Sequence, residues 1–249
     1  METFFLGLLI SIFVSLMGGG GAALYLGVLT AVVGLPTKEA VGTSLLVALP
    51  ALTFGFITQL CMHHVKIKLG NKLILSSIPG ILIGLVVAKV IPTKIYDIIM
   101  GFVFLLMGLV VLKKAFTKNS KSQEKKQPQW MIYVFGLLSG LMVGVGGLSG
   151  GATTAAGLTI MNLNMIDVTG TSTYVLAVMA LIGFVGKIFT GPIAWTSGLW
   201  LMLGAIAGAI LTPIVLQKFD YRKVNQVLTP FLGLVIVYFG VNFLMQGFH

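Results

Sequence analysis

The sequence predicts an all-α polytopic membrane protein, with about eight apolar segments arranged as two homologous four-segment repeats. The repeats are expected to be inverted, with a broken or re-entrant first and fifth segment. Three observations lead there: the composition, the lengths of the apolar runs, and an internal offset of 128 residues. The 249-residue chain is 57% apolar and only 9% charged, whereas a soluble globular domain carries about 25% charged residues. A mean hydropathy of +1.05 agrees. Neither a disordered chain nor a secreted soluble domain fits these values. The net charge of +10 raises nucleic acid as a partner, but the 16 basic residues fall almost entirely in short gaps between apolar runs. That is the distribution of loops facing anionic lipid, so the bilayer and not nucleic acid is the expected partner. Cys61 is the single cysteine, which leaves no intramolecular disulfide and no CxxC site. The start, Met1 to Phe4, lacks a basic n-region, so the first apolar segment is expected to remain in the mature protein.

Apolar segments run roughly over 4–34, 40–62, 73–91, 95–112, 131–162, 170–190, 198–216 and 224–246. A membrane-spanning helix needs about 20 residues, and six of these segments suit a single crossing. The first and fifth are too long, since about 31 residues of straight helix would reach about 46 Å. Both carry a glycine cluster near the middle, Gly18 to Gly21 and Gly144 to Gly151. Glycine is the poorest ordinary helix former after proline, so each long segment is expected to be two helical pieces. Residues 113–130 form a polar stretch with six lysines, ending in Pro128 and Trp130. It reads as a cytoplasmic linker between a first repeat, 1–112, and a second, 131–249.

Shifting the sequence by 128 places Gly18-Gly19 on Gly146-Gly147 and Gly42-Thr43-Ser44 on Gly170-Thr171-Ser172. The same shift aligns Glu39 with Asp167, Gly55-Phe56 with Gly183-Phe184, and Gly70 with Gly198. A repeated Gly-Thr-Ser with an acid three residues before it marks an internal duplication. Positive charge then tests the topology. With eight full crossings, the 63–72 and 113–130 loops place nine basic residues on one side against five on the other. With segments one and five as re-entrant hairpins, twelve share one side and leave Lys38 and Lys94 opposite. The second arrangement obeys the positive-inside rule better and matches inverted-repeat transporters with broken helices.

The glycine clusters carry the most chemistry. A break inside the membrane frees the N–H groups of a half-helix start, which attract anions through amide donors and the helix dipole. Close helix crossing is the plainer use of such glycines, but two clusters in equivalent places of overlong segments favour a binding site. Thr43, Ser44, Thr171 and Ser172 are candidates either to cap a helix or to donate to a ligand oxygen. Glu39 and Asp167 are candidates for proton coupling, or simply acids that suit a helix start. Lys187, inside the sixth segment, is either a counter-charge for an anion or a lysine reaching back to the interface. His63 and His64 are adjacent, share no helix face, and are expected to be solvated, not metal-binding. The twelve methionines are scattered apolar filler. Gly147-Leu148-Ser149-Gly150 has the G-x-S-G form of rhomboid intramembrane serine proteases, but His63, His64 and His249 all lie at segment ends. Without a base in reach, enzyme chemistry is not expected.

These residues together resemble the TauE/SafE family of bacterial sulfite exporters. Gly18 to Gly21, then Pro36, Ala40 and Gly42-Thr43-Ser44, carry the likeness in the first half. Gly146 to Gly151 and Gly170-Thr171-Ser172 repeat it in the second, and the resemblance spans nearly the whole chain apart from 113–130. It implies a multi-pass carrier of the bacterial plasma membrane for small sulfur-containing anions such as sulfite, thiosulfate or sulfonates, most directly as an exporter. Some members are associated with other organic anions. One departure is that Ser149 has Gly21 as its equivalent, so the two halves do not offer identical donors. The expected site consists of backbone around Gly19, Gly20, Gly21, Gly147, Gly150 and Gly151, hydroxyls of Thr43, Ser44, Ser149, Thr171 and Ser172, and Lys187. No cofactor or metal is implied. A small inorganic or organic anion and the lipid bilayer are the expected partners, with a second copy of the chain as a candidate for a homodimer. An anion channel with the same lining is the alternative to a carrier.

Overall fold

The structure, a computed structural model, describes residues 2–16, 22–116, 130–148, 150–161, 163–216 and 221–248. These residues form ten helices and no strand. They are α1 (Glu2–Leu16), α2 (Ala22–Ala31), α3 (Thr37–Cys61), α4 (Ile67–Val90), α5 (Thr93–Phe116), α6 (Trp130–Gly146), α7 (Gly151–Ile160), α8 (Met165–Thr190), α9 (Trp195–Leu216) and α10 (Tyr221–Phe248). Each overlong apolar segment is two helices, as the glycine clusters predict. Helix α6 ends at Gly146 and α7 begins at Gly151, while α1 ends at Leu16 and α2 begins at Ala22. Gly19, Gly20, Gly21 and Ser149 lie outside the described residues, as do 117–129 of the linker. The duplication shows in the helix starts: Thr37 and Met165, Ile67 and Trp195, and Thr93 and Tyr221 are each 128 apart. Helix α4 begins at Ile67, well before its apolar run, because lysine is a good helix former and Lys68 and Lys72 interrupt nothing.

Glycine packing fixes the direction of each helix. A side chain on Gly140 would meet Ser77 of α4, and one on Gly144 would meet Ile81, so α6 and α4 run parallel. Helix α7 then returns along α6, with Ser139 hydrogen-bonded to Thr154 at 2.7 Å and Gly157 against Phe135. The α6–α7 pair is therefore a re-entrant hairpin that comes back to the end where α3 turns into α4. We call this the basic end, since Lys66, Lys68 and Lys72 lie there. Helix α1 likewise runs parallel to α9, with Ser11 donating to the Ala205 carbonyl at 2.5 Å and Gly204 against Phe4. Helix α2 leads back to the start of α3 at the opposite end. Two re-entrant hairpins and six crossing helices of 22–28 residues result, each long enough to span a bilayer.

The centre is the antiparallel pair α3 and α8. Gly55 faces Thr173 and Gly183 faces Leu45, contacts that the 128-residue shift interchanges. The two five-helix sets thus run in opposite senses around a pseudo-two-fold axis. Each set lends its first helix to the other, α1 to α9 and α6 to α4. Helices α5 and α10 form an antiparallel flank, closely spaced by Gly101 and Gly108 on one and Gly233, Gly240 and Gly247 on the other. Leu75, Val86, Val90, Leu106, Phe189 and Leu234 remain at least 60% exposed, as expected of a surface solvated by lipid and not by water.

Candidate functional site

The two Gly-Thr-Ser motifs occupy equivalent places early in α3 and α8, and both seat a loop of the other half. A side chain on Gly170 would come within 2.7 Å of the His64 carbonyl oxygen, and one on Gly42 within 3.3 Å of the Pro192 carbonyl oxygen. Beside them, Thr171 Oγ1 accepts the backbone N–H of Lys66 at 2.9 Å, and Thr43 Oγ1 accepts that of Ala194 at 3.0 Å. Lys66 and Ala194 stand just before α4 and α9, so each threonine satisfies a backbone donor that the helix itself leaves unpaired. The Thr43 hydroxyl proton goes to the Glu39 carbonyl at 2.9 Å. Ser44 and Ser172 donate to Val41 and Thr169 of their own helices, at 2.9 and 3.0 Å.

The register of α3 on α8 separates these motifs. Pairing Leu45 with Gly183 and Gly55 with Thr173 sets Thr43 and Thr171 about 14 residues apart, roughly 21 Å along the axis. Thr171, Ser172 and Asp167 belong to the basic end, whereas Thr43, Ser44, Glu39 and Lys187 belong to the opposite end. Asp167 is ion-paired to Lys66 at 3.1 Å beside an open cavity of about 570 Å³ lined by Lys66, Lys68, Leu163 and Asn164. Glu39 has no such mate, because the equivalent of Lys66 is Ala194.

The second hairpin tip lies at the opposite end, against the first Gly-Thr-Ser motif. Gly147 and Gly150 have φ of +59° and +58°, a conformation that glycine adopts without strain. They turn the chain from α6 into α7 within a few residues. The Gly150 carbonyl is held by the hydroxyls of Ser139 at 3.0 Å and Thr153 at 2.7 Å and by the Thr154 N–H at 2.9 Å. Gly150 offers no side chain to cap α7, so the N–H groups of Gly151 and the next two residues have no acceptor within the helix. Gly147 faces α3 closely, since a Cβ there would lie 2.7 Å from the Val41 carbonyl oxygen and 3.1 Å from Ser44 Oγ.

Lys187 is 6% exposed and lies one turn beyond Gly183, which packs on Val143 of α6. Val143 is in turn one turn before Gly147, so the ammonium-bearing turn of α8 stands level with the tip. Lys187 makes no hydrogen bond or ion pair among the described residues, and its charged neighbour is Lys38, another cation. Amides at the start of α7 that no Gly150 side chain caps, with a buried ammonium level with them, are features suited to an anion. The structure sets Gly147 against Val41 and Ser44, places Lys187 at the same level of the bundle, and keeps Thr171 and Ser172 at the other end. One residue escapes the sequence reading. Asp97 stands two residues inside the apolar run 95–112, where it looks like an interfacial charge, yet it is 6% exposed.

Similar proteins are described as probable membrane transporter proteins. The sequence matches the family profile described as Sulfite exporter TauE/SafE over residues 3–243. It is 26% identical over 234 residues to the probable membrane transporter protein YjnA of Bacillus subtilis (strain 168), covering 88% of this chain and 91% of that protein. It is 24% identical over 209 residues to YdhB of the same organism, also described as a probable membrane transporter protein, covering 81% and 84%. A third such protein, YunE, is 22% identical over 266 aligned positions, covering 97% and 96%. No solved structure matches the chain. The profile spans both hairpins and all six crossing helices, so the chain belongs to the sulfite exporter TauE/SafE family of membrane transporters.

Proposed function

We propose that this protein is a secondary transporter that exports a small sulfur-containing anion, such as sulfite, thiosulfate or a sulfonate, across the bacterial plasma membrane. The observation that carries the reading is the uncapped start of α7, set beside buried Lys187 and the Gly147 turn. Tetrahedral or pyramidal oxyanions suit such a place, because several convergent N–H donors and one cation meet several equivalent oxygens. Residues 1–112 and 131–249 act as the two repeats, and the basic 113–130 linker lies in the cytoplasm by the positive-inside rule. Rocking of one repeat against the other about the α3–α8 pair would expose the tip to each side in turn. The membrane potential alone drives an anion outward, since one charge at 100 mV is worth about 2.3 kcal/mol, roughly a fifty-fold gradient.

The test is flux in proteoliposomes holding the purified protein, with sulfite, thiosulfate, lactate and chloride, with and without a pH gradient. Saturable sulfite or thiosulfate movement, stimulated by substrate on the far side, is the expected result. Flux that never saturates would make the protein a channel, and folded protein that moves none of the sulfur anions would refute the substrate class.

A further inference from the structure

We infer that Asp97 binds and releases a proton in step with the transported anion, so that coupling runs through this residue and not through Glu39 or Asp167. The inference rests on the transport reading above and deepens it. Asp97 is 6% exposed, and its Oδ1 has no hydrogen-bond partner among the described residues. The rest of its environment is polar, with the Thr37 side chain and the Lys38 ammonium both close enough to act on the carboxyl group. Lys38 also acts on Lys187, and its ammonium donates to the Ile91 carbonyl at 2.9 Å. A membrane-embedded acid with an unmet oxygen is the kind of group that performs a function, because the bilayer selects against idle ones.

Geometry links this acid to the part that must move. Tyr96, its neighbour, donates its hydroxyl to the Val145 carbonyl of α6. Met100, one turn on from Tyr96, fills the space against Gly146, where a Cβ would meet its Cε at 2.8 Å. The first turns of α5 thus lie between the start of α3, which holds Asp97, and the last residues before the Gly147 turn. Lys38 on α3 acts on Asp97, which in turn acts on Tyr96; Glu39 and Lys94 are the charged residues next to these in sequence, and Lys187 on α8 shares the influence of Lys38. Helix α10, the main partner of α5, contributes at that end Asn242 and Gln246, hydrogen-bonded to each other and uncharged. The last turns of α6 contribute backbone alone.

Glu39 and Asp167 suit the task less well. Asp167 is already paired with Lys66, whose side chain is 49% exposed, beside an open cavity. Glu39 starts α3 in a half-buried position, and Ala194 stands at the place equivalent to the Lys66 that pairs with Asp167. The counterpart of Asp97 in the second repeat is Asn225, so the proton carrier exists in one half and is absent from the other. In one cycle, a proton from water at the end the site faces forms an O–H bond at Oδ1 and neutralises the carboxylate while the anion sits beside Lys187. That bond breaks, giving the proton to water, once the site has turned to the other end.

The experiment uses wild type, Asp97→Asn and Asp97→Glu in proteoliposomes with the membrane voltage clamped, and thiosulfate, which stays a dianion over the pH range used. Two quantities are read: exchange of labelled for unlabelled thiosulfate, and accumulation driven by an imposed pH gradient. Wild type is expected to do both, Asp97→Glu to keep both, and Asp97→Asn to keep exchange within about threefold while losing at least tenfold of gradient-driven accumulation. Equal gradient response in wild type and Asp97→Asn overturns the inference, as does a wild type driven by sodium and indifferent to pH. Should Asp97→Asn lose exchange as well, the pH profile of exchange by Asp97→Glu decides: a shifted profile supports the role, an unshifted one overturns it. Absence of thiosulfate exchange by wild type would instead refute the transport reading, a different failure.

Discussion

The two ends of the molecule use one backbone design and carry opposite electrostatics. At the basic end, Gly170 and Thr171 seat the loop before α4, and at the opposite end Gly42 and Thr43 seat the loop before α9. Side chains around these equivalent joints differ completely. The basic end has a surface ion pair, Lys66 with Asp167, open to water. The opposite end has Lys187 and Asp97, both 6% exposed and not paired with each other. Docking of the halves is thus a duplicated property, whereas buried charge is an acquired one. The symmetric residues join the halves, and the asymmetric ones distinguish the two ends.

Breaking the opposite end at the hairpin tip should have the largest effect. Gly147→Val forces a β-branched residue to φ of +59° and drives its Cβ onto the Val41 carbonyl. Transport in proteoliposomes should fall at least about 100-fold, as misplaced binding groups commonly cost, with the protein still recovered in the membrane. Removing the buried cation comes next. Lys187→Met should raise the concentration for half-maximal flux roughly 10- to 150-fold, the range for a lost hydrogen bond to a charged group. Lys187→Arg should recover part of the affinity, whereas a structural lysine would show an altered melting temperature and little change in affinity.

Smaller effects sharpen the comparison at the joints. Thr43→Val and Thr171→Val each leave a backbone N–H without its acceptor, at a cost of about 1–3 kcal/mol. Thermal denaturation in detergent should register similar losses for both, since the two hydrogen bonds are equivalents. Unequal losses would show that one joint bears more of the assembly. Smallest of all, Asp167→Asn at the exposed pair should change stability by less than about 1 kcal/mol. Raising the salt concentration should erase that difference, because exposed charges are screened beyond about 10 Å at 0.1 M.

Much of this architecture was legible in the sequence because its causes are local or additive. Glycine clusters announced the breaks at the middle of both overlong segments, and counting lysines per loop selected the re-entrant topology that the α6–α7 and α1–α9 packing displays. Other features depend on partners far away in the chain. Nothing near Thr43 indicates that its hydroxyl accepts from Ala194, 151 residues on, so capping and ligand binding could not be separated there. The exchange of α1 and α6 between halves leaves no mark beyond glycines spaced four apart on α6, α4 and α9, which any close helix pair would need. Asp97 was illegible for another reason. An acid two residues inside an apolar run has the same sequence appearance whether it ends in water or under a neighbouring helix.

The exchanged hairpins also set a timetable for synthesis. Helix α1 is among the first parts made, but its glycine-spaced partner α9 comes much later, with Ser11 and Ala205 separated by 194 residues. At 5–20 residues per second, α1 waits roughly 10–40 s in the bilayer before that partner exists. Its Ser11 hydroxyl and polar backbone ends must meanwhile find lipid headgroups, water or a chaperone. The first half on its own also lacks α6 for the glycine face of α4. Each half is therefore an incomplete product, with a glycine face left unpacked until the other half is made.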